Sequence, residues 1–216
     1  MSRYAEEARD TLIRAYTISL KVMIIVSLPV ALLTTFYAEG IILVVGGQAY
    51  LPHAAIALRL LIWSIPFGFV NSVTQYVLIA IDKQRFLTGA FVVGASFNLI
   101  ANLLLIPAYG YQAAAVTTII SEVVLLVPFY YGVRKHLSPI PWAGLTWRPL
   151  LSTLVTGALI WLLRDVSFLL LIPLSLATYV GCLVLTGTFT KEDISLMRQV
   201  LPARLWSKAA PEETLE

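Results

Sequence analysis

Two charged side chains lie inside long apolar runs of this chain, and chemistry is sought there first. Glu122 sits about eleven residues into such a run, or ~17 Å along a helix. An ionised carboxylate at that depth of a membrane is expensive and is either paired or protonated. It can serve as a substrate-facing or proton-coupling acid, or as a neutral acid bonded to a neighbouring helix through Asn98 or Thr118. Arg59 stands nearer the end of its run and can snorkel to the interface, or face a cavity and attract a phosphate. Asn71 and Gln75 are four residues apart, as are Asn98 and Asn102, so each pair shares one helix face. Polar side chains in spans usually hydrogen-bond between helices, and packing is the expected role of all four.

Other chemistries find no support. The sequence has no nucleophile constellation, no glycine-rich phosphate loop and no nucleotide motif. Its acids are isolated from one another, unlike the clustered carboxylates of a metal-dependent glycosyltransferase, so no enzyme activity is expected. His53 and His136 have no Cys or Asp at ligand spacing, and neither metal nor cofactor is expected. Cys182 stands alone in an apolar run and reads as a small buried hydrophobe. The net charge of +3 is scattered over loops rather than gathered in a stripe, which argues against nucleic acid as a partner.

The elements that must position these residues are membrane helices. Of 216 residues, 59% are hydrophobic and 12% charged, against about a quarter charged in soluble proteins. Uncharged runs long enough to cross a ~30 Å hydrocarbon layer define an all-α integral membrane protein with about six transmembrane helices. The spans fall at roughly 20–38, 54–81 (kinked at Pro66), 86–106, 111–131, 149–163 and 166–189. Residues 1–21 alternate charge with Ala5, Ala8, Leu12, Ala15 and Tyr16 at helical spacing, which predicts an amphipathic lead-in at the membrane surface. Residues 134–148 read as a loop, Arg164-Asp165 as a tight connection and 191–216 as a charged tail.

Basic residues set the orientation. Alternate loops put thirteen of the fifteen Lys and Arg residues on one side, and the other side holds only Arg164. The positive-inside rule then makes both termini cytoplasmic in a multi-pass protein of the cytoplasmic membrane. An even number of crossings requires the same. Trp142 and Trp147 flank the fifth span at the cytoplasmic interface.

The stretch from Asn98 to Glu122 orders Asn98, Asn102, an Ile-Pro-Ala-Tyr-Gly turn with Pro107 and Gly110, the run Ala113-Ala114-Ala115, and Ser121-Glu122. Pro107 bars helix continuation, and Gly110 suits a tight reversal. This series resembles the polysaccharide-exporter branch of the multidrug/oligosaccharidyl-lipid/polysaccharide flippases, in the C-terminal lobe. Ala113 departs from it, since a glycine commonly stands there. The resemblance implies that residues 22–135 are four helices of that lobe, with 1–21 as cytoplasmic lead-in, 136–190 as an extra helix pair and 191–216 as cytoplasmic tail. The chain would then be part of a fourteen-helix, two-lobe bundle lacking its N-terminal lobe. The implied partners are membrane lipid, an undecaprenyl-linked oligosaccharide, and the missing lobe or a separate chain supplying it. Glu122 and Arg59 become candidate substrate-binding residues, Arg59 towards a lipid-linked pyrophosphate. Asn71/Gln75 and Asn98/Asn102 would be left towards lipid without the missing helices. Two other readings stay open: a multidrug or metabolite antiporter of the same superfamily, and a non-transporting membrane scaffold.

The charge distribution gives a topology that can be checked. With Cys182 replaced by Ala, single cysteines at Gln48 and Tyr109 should react with an impermeant thiol reagent in intact cells. One at Gln84 should react only after permeabilisation, and the reverse pattern would overturn the orientation.

Overall fold

The computed structural model describes residues 2–163 and 167–188, all helix, turn or loop with no strand among them. The Arg164-Asp165 connection and the tail at 191–216 lie outside the described residues. Among the described residues there are six α-helices: α1 (Ser2–Val45), α2 (His53–Leu61), α3 (Ser64–Ala80), α4 (Gln84–His136), α5 (Trp142–Leu162) and α6 (Phe168–Leu185). Four apolar stretches are long enough to cross a membrane, counting α2 and α3 together, and α6 supplies a shorter one.

The longest of these crosses twice. At 53 residues α4 would be about 80 Å long if straight, far beyond a ~30 Å hydrocarbon core. At Gly110 its backbone turns to φ 61°, ψ −144°, a region that essentially only glycine occupies. Residues at nearly equal distances from Gly110 along the two arms then become neighbours. Asn98 bonds Ser121, Leu125 packs on Gly94, and the rings of Phe91 and Phe129 meet edge to face at 5.6 Å. Near the open end a Cβ on Gly132 would lie 2.6 Å from the Phe86 ring, so no larger residue fits there without displacing it. α4 is therefore an antiparallel hairpin with arms 84–109 and 111–136.

α1 is the central helix, with α2 and α3 on one side and α5 and α6 on the other, and α3 separates it from the hairpin. The main apolar core joins Tyr16, Leu20 and Leu28 of α1 to Val70 and Leu78 of α3, Leu87 and Phe129 of α4, and Leu145 of α5. It gathers towards the end of the bundle that holds Gln84 and His136. Away from it, Leu99, Leu103 and Leu104 of the first arm are exposed, as side chains facing acyl chains would be.

Several boundaries differ from the sequence reading. Residues 2–21 run without a break into the first span, both belonging to α1. Tyr16 is buried and bonds Thr74 of α3 at 2.8 Å, and Arg9 donates to the carbonyl of Leu137. The break in the second span falls at Ile62–Trp63 rather than at Pro66 itself. Pro66 has no N–H for the carbonyl of Ile62, which instead accepts from Ile65 at 3.1 Å, tightening the turn there. The expected loop 134–148 shrinks to the five residues between α4 and α5, because Pro149 falls within α5.

The reversal makes a local prediction. Gly110→Ala should destabilise the protein by about 1–3 kcal/mol, seen as a lower melting temperature in detergent. Gly89→Ala, on a helical stretch with open space around its Cα, should not. Equal melting temperatures for both variants would show that the turn tolerates a side chain.

Candidate functional site

The hairpin and α3 together enclose a polar seam halfway along the bundle. Asn71 of α3 is buried, and its Nδ2 donates to Glu122 Oε2 at 2.7 Å and to the Glu122 backbone carbonyl at 2.9 Å. Gly68 stands one helical turn earlier on the same face. A methyl there would touch the Glu122 carboxyl carbon at 3.7 Å, so the carboxyl packs against nearly bare backbone. Glu122 is twelve residues from Gly110 and fourteen from the end of α4, which is mid-membrane at helical rise.

One turn away, a relay crosses the hairpin. Asn102 Nδ2 donates to Asn98 Oδ1 (3.0 Å), Asn98 Nδ2 to Ser121 Oγ (2.9 Å), and Ser121 Oγ to the carbonyl of Thr117 (2.7 Å). Thr118 bonds back within its own helix to Ala114. Glu122 is thus paired with neither Asn98 nor Thr118, and its partner is Asn71. The expectation that these polar faces would be left towards lipid fails for Asn71, Asn98 and Asn102. The reversal at Gly110 brings Asn98 level with Ser121, and α3 runs alongside the second arm so that Asn71 meets Glu122. Gln75 is half-buried and makes no hydrogen bond among the described residues.

The seam leaves polar atoms unpaired. Asn71 Oδ1, Asn102 Oδ1 and Thr117 Oγ1 are buried without a hydrogen-bond partner among the described residues. The carboxyl of Glu122 accepts from Asn71 through Oε2. The arrangement suits a polar seam that holds α3 against the hairpin. It contains no nucleophile and base in hydrogen-bond reach, and among the described residues no three His, Cys, Asp or Glu side chains gather as metal ligands.

Arg59 lies elsewhere. Its guanidinium bonds Glu39 at 2.9 Å and the carbonyl of Thr35 at 3.2 Å, both on α1. Trp63 donates to the hydroxyl of the same Thr35 at 3.1 Å. Arg59 therefore faces α1 while Asn71 faces the hairpin, and the two candidate substrate residues are not brought to one site. With side chains 39% and 62% exposed, the Arg59–Glu39 pair adds at most ~1 kcal/mol of stability. Pro107 stands three residues before the reversal at Gly110, within the first arm.

Gly68, Ser121, Glu39 and Thr35 were missed as members of these clusters. None carries a distinguishing pattern, and each acts through a neighbour remote in sequence. Only Tyr16 gave a usable signal, since a tyrosine on an apolar helix face needs a partner for its hydroxyl.

With this geometry in hand, comparison with known proteins becomes informative. Residues 2–104 match the MatE family. This segment covers α1 to α3 and most of the first arm, so it includes Asn71, Asn98 and Asn102 and stops short of Glu122. An uncharacterized membrane protein of Methanocaldococcus jannaschii is 34% identical over 114 residues, which is 53% of this chain. The chain spans only 22% of that relative's length. No solved structure matches it significantly. A segment similar to the MatE family thus lies in an all-helical bundle whose long apolar helices are those of an all-α membrane protein.

The Asn71–Glu122 contact predicts an asymmetry. Glu122→Gln keeps an oxygen to accept from Asn71 and should leave thermal stability in detergent nearly unchanged. Asn71→Leu removes the donor and should lower stability by about 0.6–2 kcal/mol, the range for interhelical hydrogen bonds in membranes. Equal losses in both variants would show that the charge of Glu122 matters, not merely its acceptor oxygen.

Proposed function

We propose that this chain forms part of a transporter of the multidrug/oligosaccharidyl-lipid/polysaccharide superfamily, working on a lipid-linked oligosaccharide destined for a surface polysaccharide. The match of residues 2–104 to the MatE family, whose members are transporters, carries the coarser half of this reading. The finer half rests on the ordered series from Asn98 to Glu122 and its likeness to the polysaccharide-exporter branch. In such carriers the substrate crosses between two bundles that move against each other around one site. The helices here supply one wall of that passage. The other wall comes from further sequence or from a second chain, in keeping with the small share of the relative's length that this chain spans.

Glu122 and the asparagine relay then act within that wall as a structural seam. Arg59, held by Glu39 at one end of α1, is the residue placed to meet a phosphate-bearing group near the interface. Both termini face the cytoplasm in this reading. A multidrug antiporter is the alternative, and the MatE match favours it as much as it favours transport of a glycan.

Complementation separates these readings. In a host lacking its oligosaccharide flippase, the chain together with the remaining helices should restore surface polysaccharide, and the chain alone should not. Glu122→Gln should restore it as well as the parent sequence. Restoration by this chain alone would refute the one-wall reading. Gain of drug resistance without restored polysaccharide would favour the antiporter.

A further inference from the structure

The second arm of the hairpin carries two apolar grooves, one on each side of Val127. The larger, about 490 Å³, lies between the two arms and is lined by Phe86, Val93, Val127, Pro128 and Tyr131 among others. The smaller, about 300 Å³, lies between the second arm and the start of α5, and Trp142 closes it beside Tyr130. Val127 itself is 65% exposed and forms the ridge between them. Both grooves run along the half of the arm between Glu122 and His136, which is the depth of one leaflet. Each volume is within or near the range of small-ligand sites.

Basic residues crowd the open end of these grooves. Lys135 holds its ammonium 5.7 Å from the ring centre of Tyr131, a wall of the larger groove. Arg134 is next to it in sequence, and Arg85 directly precedes Phe86 of the same groove. All three are exposed, and none has a carboxylate at ion-pair distance among the described residues. Paired apolar channels of one-leaflet depth beneath unneutralised cations match a molecule with two hydrocarbon chains and an anionic head. Basic pockets beside transmembrane helices are known to bind such head groups.

We propose that this end of the α4 hairpin is a binding site for an anionic diacyl phospholipid. Its two chains straddle Val127, and its phosphate lies between Arg85 and Lys135. The occupant is a lipid of the leaflet rather than a transported substrate, so the site is independent of the transport reading. Trp142, in the smaller groove, provides a reporter.

The test places the full chain in phosphatidylcholine vesicles containing a minor share of lipid with brominated acyl chains, which quench tryptophan on contact. The Trp142 signal is the difference between the parent and Trp142→Phe. Brominated phosphatidylglycerol should quench it more strongly than brominated phosphatidylcholine at equal share. Arg85→Gln with Lys135→Gln should reduce that preference by about fivefold for each charge removed, from roughly 1 kcal/mol per basic residue at an anionic surface. Arg14→Gln removes an exposed charge from α1, which lines neither groove, and should leave the preference intact. Equal quenching by the two lipids would overturn the proposal. So would a preference that survives the double substitution, or one that Arg14→Gln weakens as much.

Discussion

Everything in the hairpin follows from one backbone conformation. A hydrogen-bonded run of 53 residues cannot stay straight inside a bilayer, and the chain must reverse near its middle. Gly110 permits this at φ 61°, ψ −144°, where a Cβ would cost on the order of 1–3 kcal/mol. Once the reversal is placed, no freedom remains in how the arms pair. Asn98 meets Ser121, Leu125 meets Gly94 and Phe86 meets Gly132 because the members of each pair lie within one or two residues of the same distance from the turn. A turn one residue earlier or later would rotate every rung and part the asparagine from its serine.

The polar groups make that pairing consequential. In hydrocarbon no water competes, and an unpaired polar side chain costs several kcal/mol. Asn98, Asn102 and Ser121 form a relay only in the observed register. Asn71 adds a second restraint by fixing the rotation of α3 about its axis. One residue of rotation, about 100° on a helix, would swing its amide away from Glu122 and leave the carboxyl without a donor. These bonds are individually modest, ~0.6–2 kcal/mol, so their larger contribution is to exclude other packings of smooth apolar helices.

What the sequence disclosed follows from the range of each signal. Membrane helices were legible because hydropathy is summed over some twenty residues and tolerates local exceptions. The reversal at Gly110 was legible because a glycine acts on its own backbone, whereas Pro107, expected to bar the helix, lies within it. The pairing of Asn98 with Asn102 on one face followed from helical period alone. Partners across helices were not legible. Asn71 and Glu122 are 51 residues apart, and nothing near Glu122 distinguishes Asn71 from Asn98 as its donor. Arg59 was placed near an interface by its distance from the span end, but its engagement with Glu39 and Thr35 depends on how α1 and α2 lie side by side. The break at Ile62–Trp63 shows a finer limit, since a proline disturbs the carbonyl four residues before it rather than its own position.

α1 explains how the remaining pair of helices is attached. Its α3 side joins the main apolar core, whereas its α5 and α6 side sets hydroxyl residues between two smaller apolar clusters, Ile25 with Tyr179 and Leu183, and Leu32 with Ile160 and Leu171. Ser27, Ser152, Thr156 and Ser175 are fully or almost fully buried, and each hydroxyl bonds a carbonyl of its own helix. Such residues spend their donors locally and leave a flat surface, so helices approach closely through van der Waals contact. Tyr179 adds a long reach, from α6 to the carbonyl of Ile25 at 2.9 Å. None of these contacts touches the seam at Glu122. α5 and α6 therefore brace α1 from behind, while the start of α5 at Leu145 enters the main core and ties that brace to the hairpin's open end. The seam depends on α3 and the hairpin alone, and the additional pair bears on it only through the setting of α1.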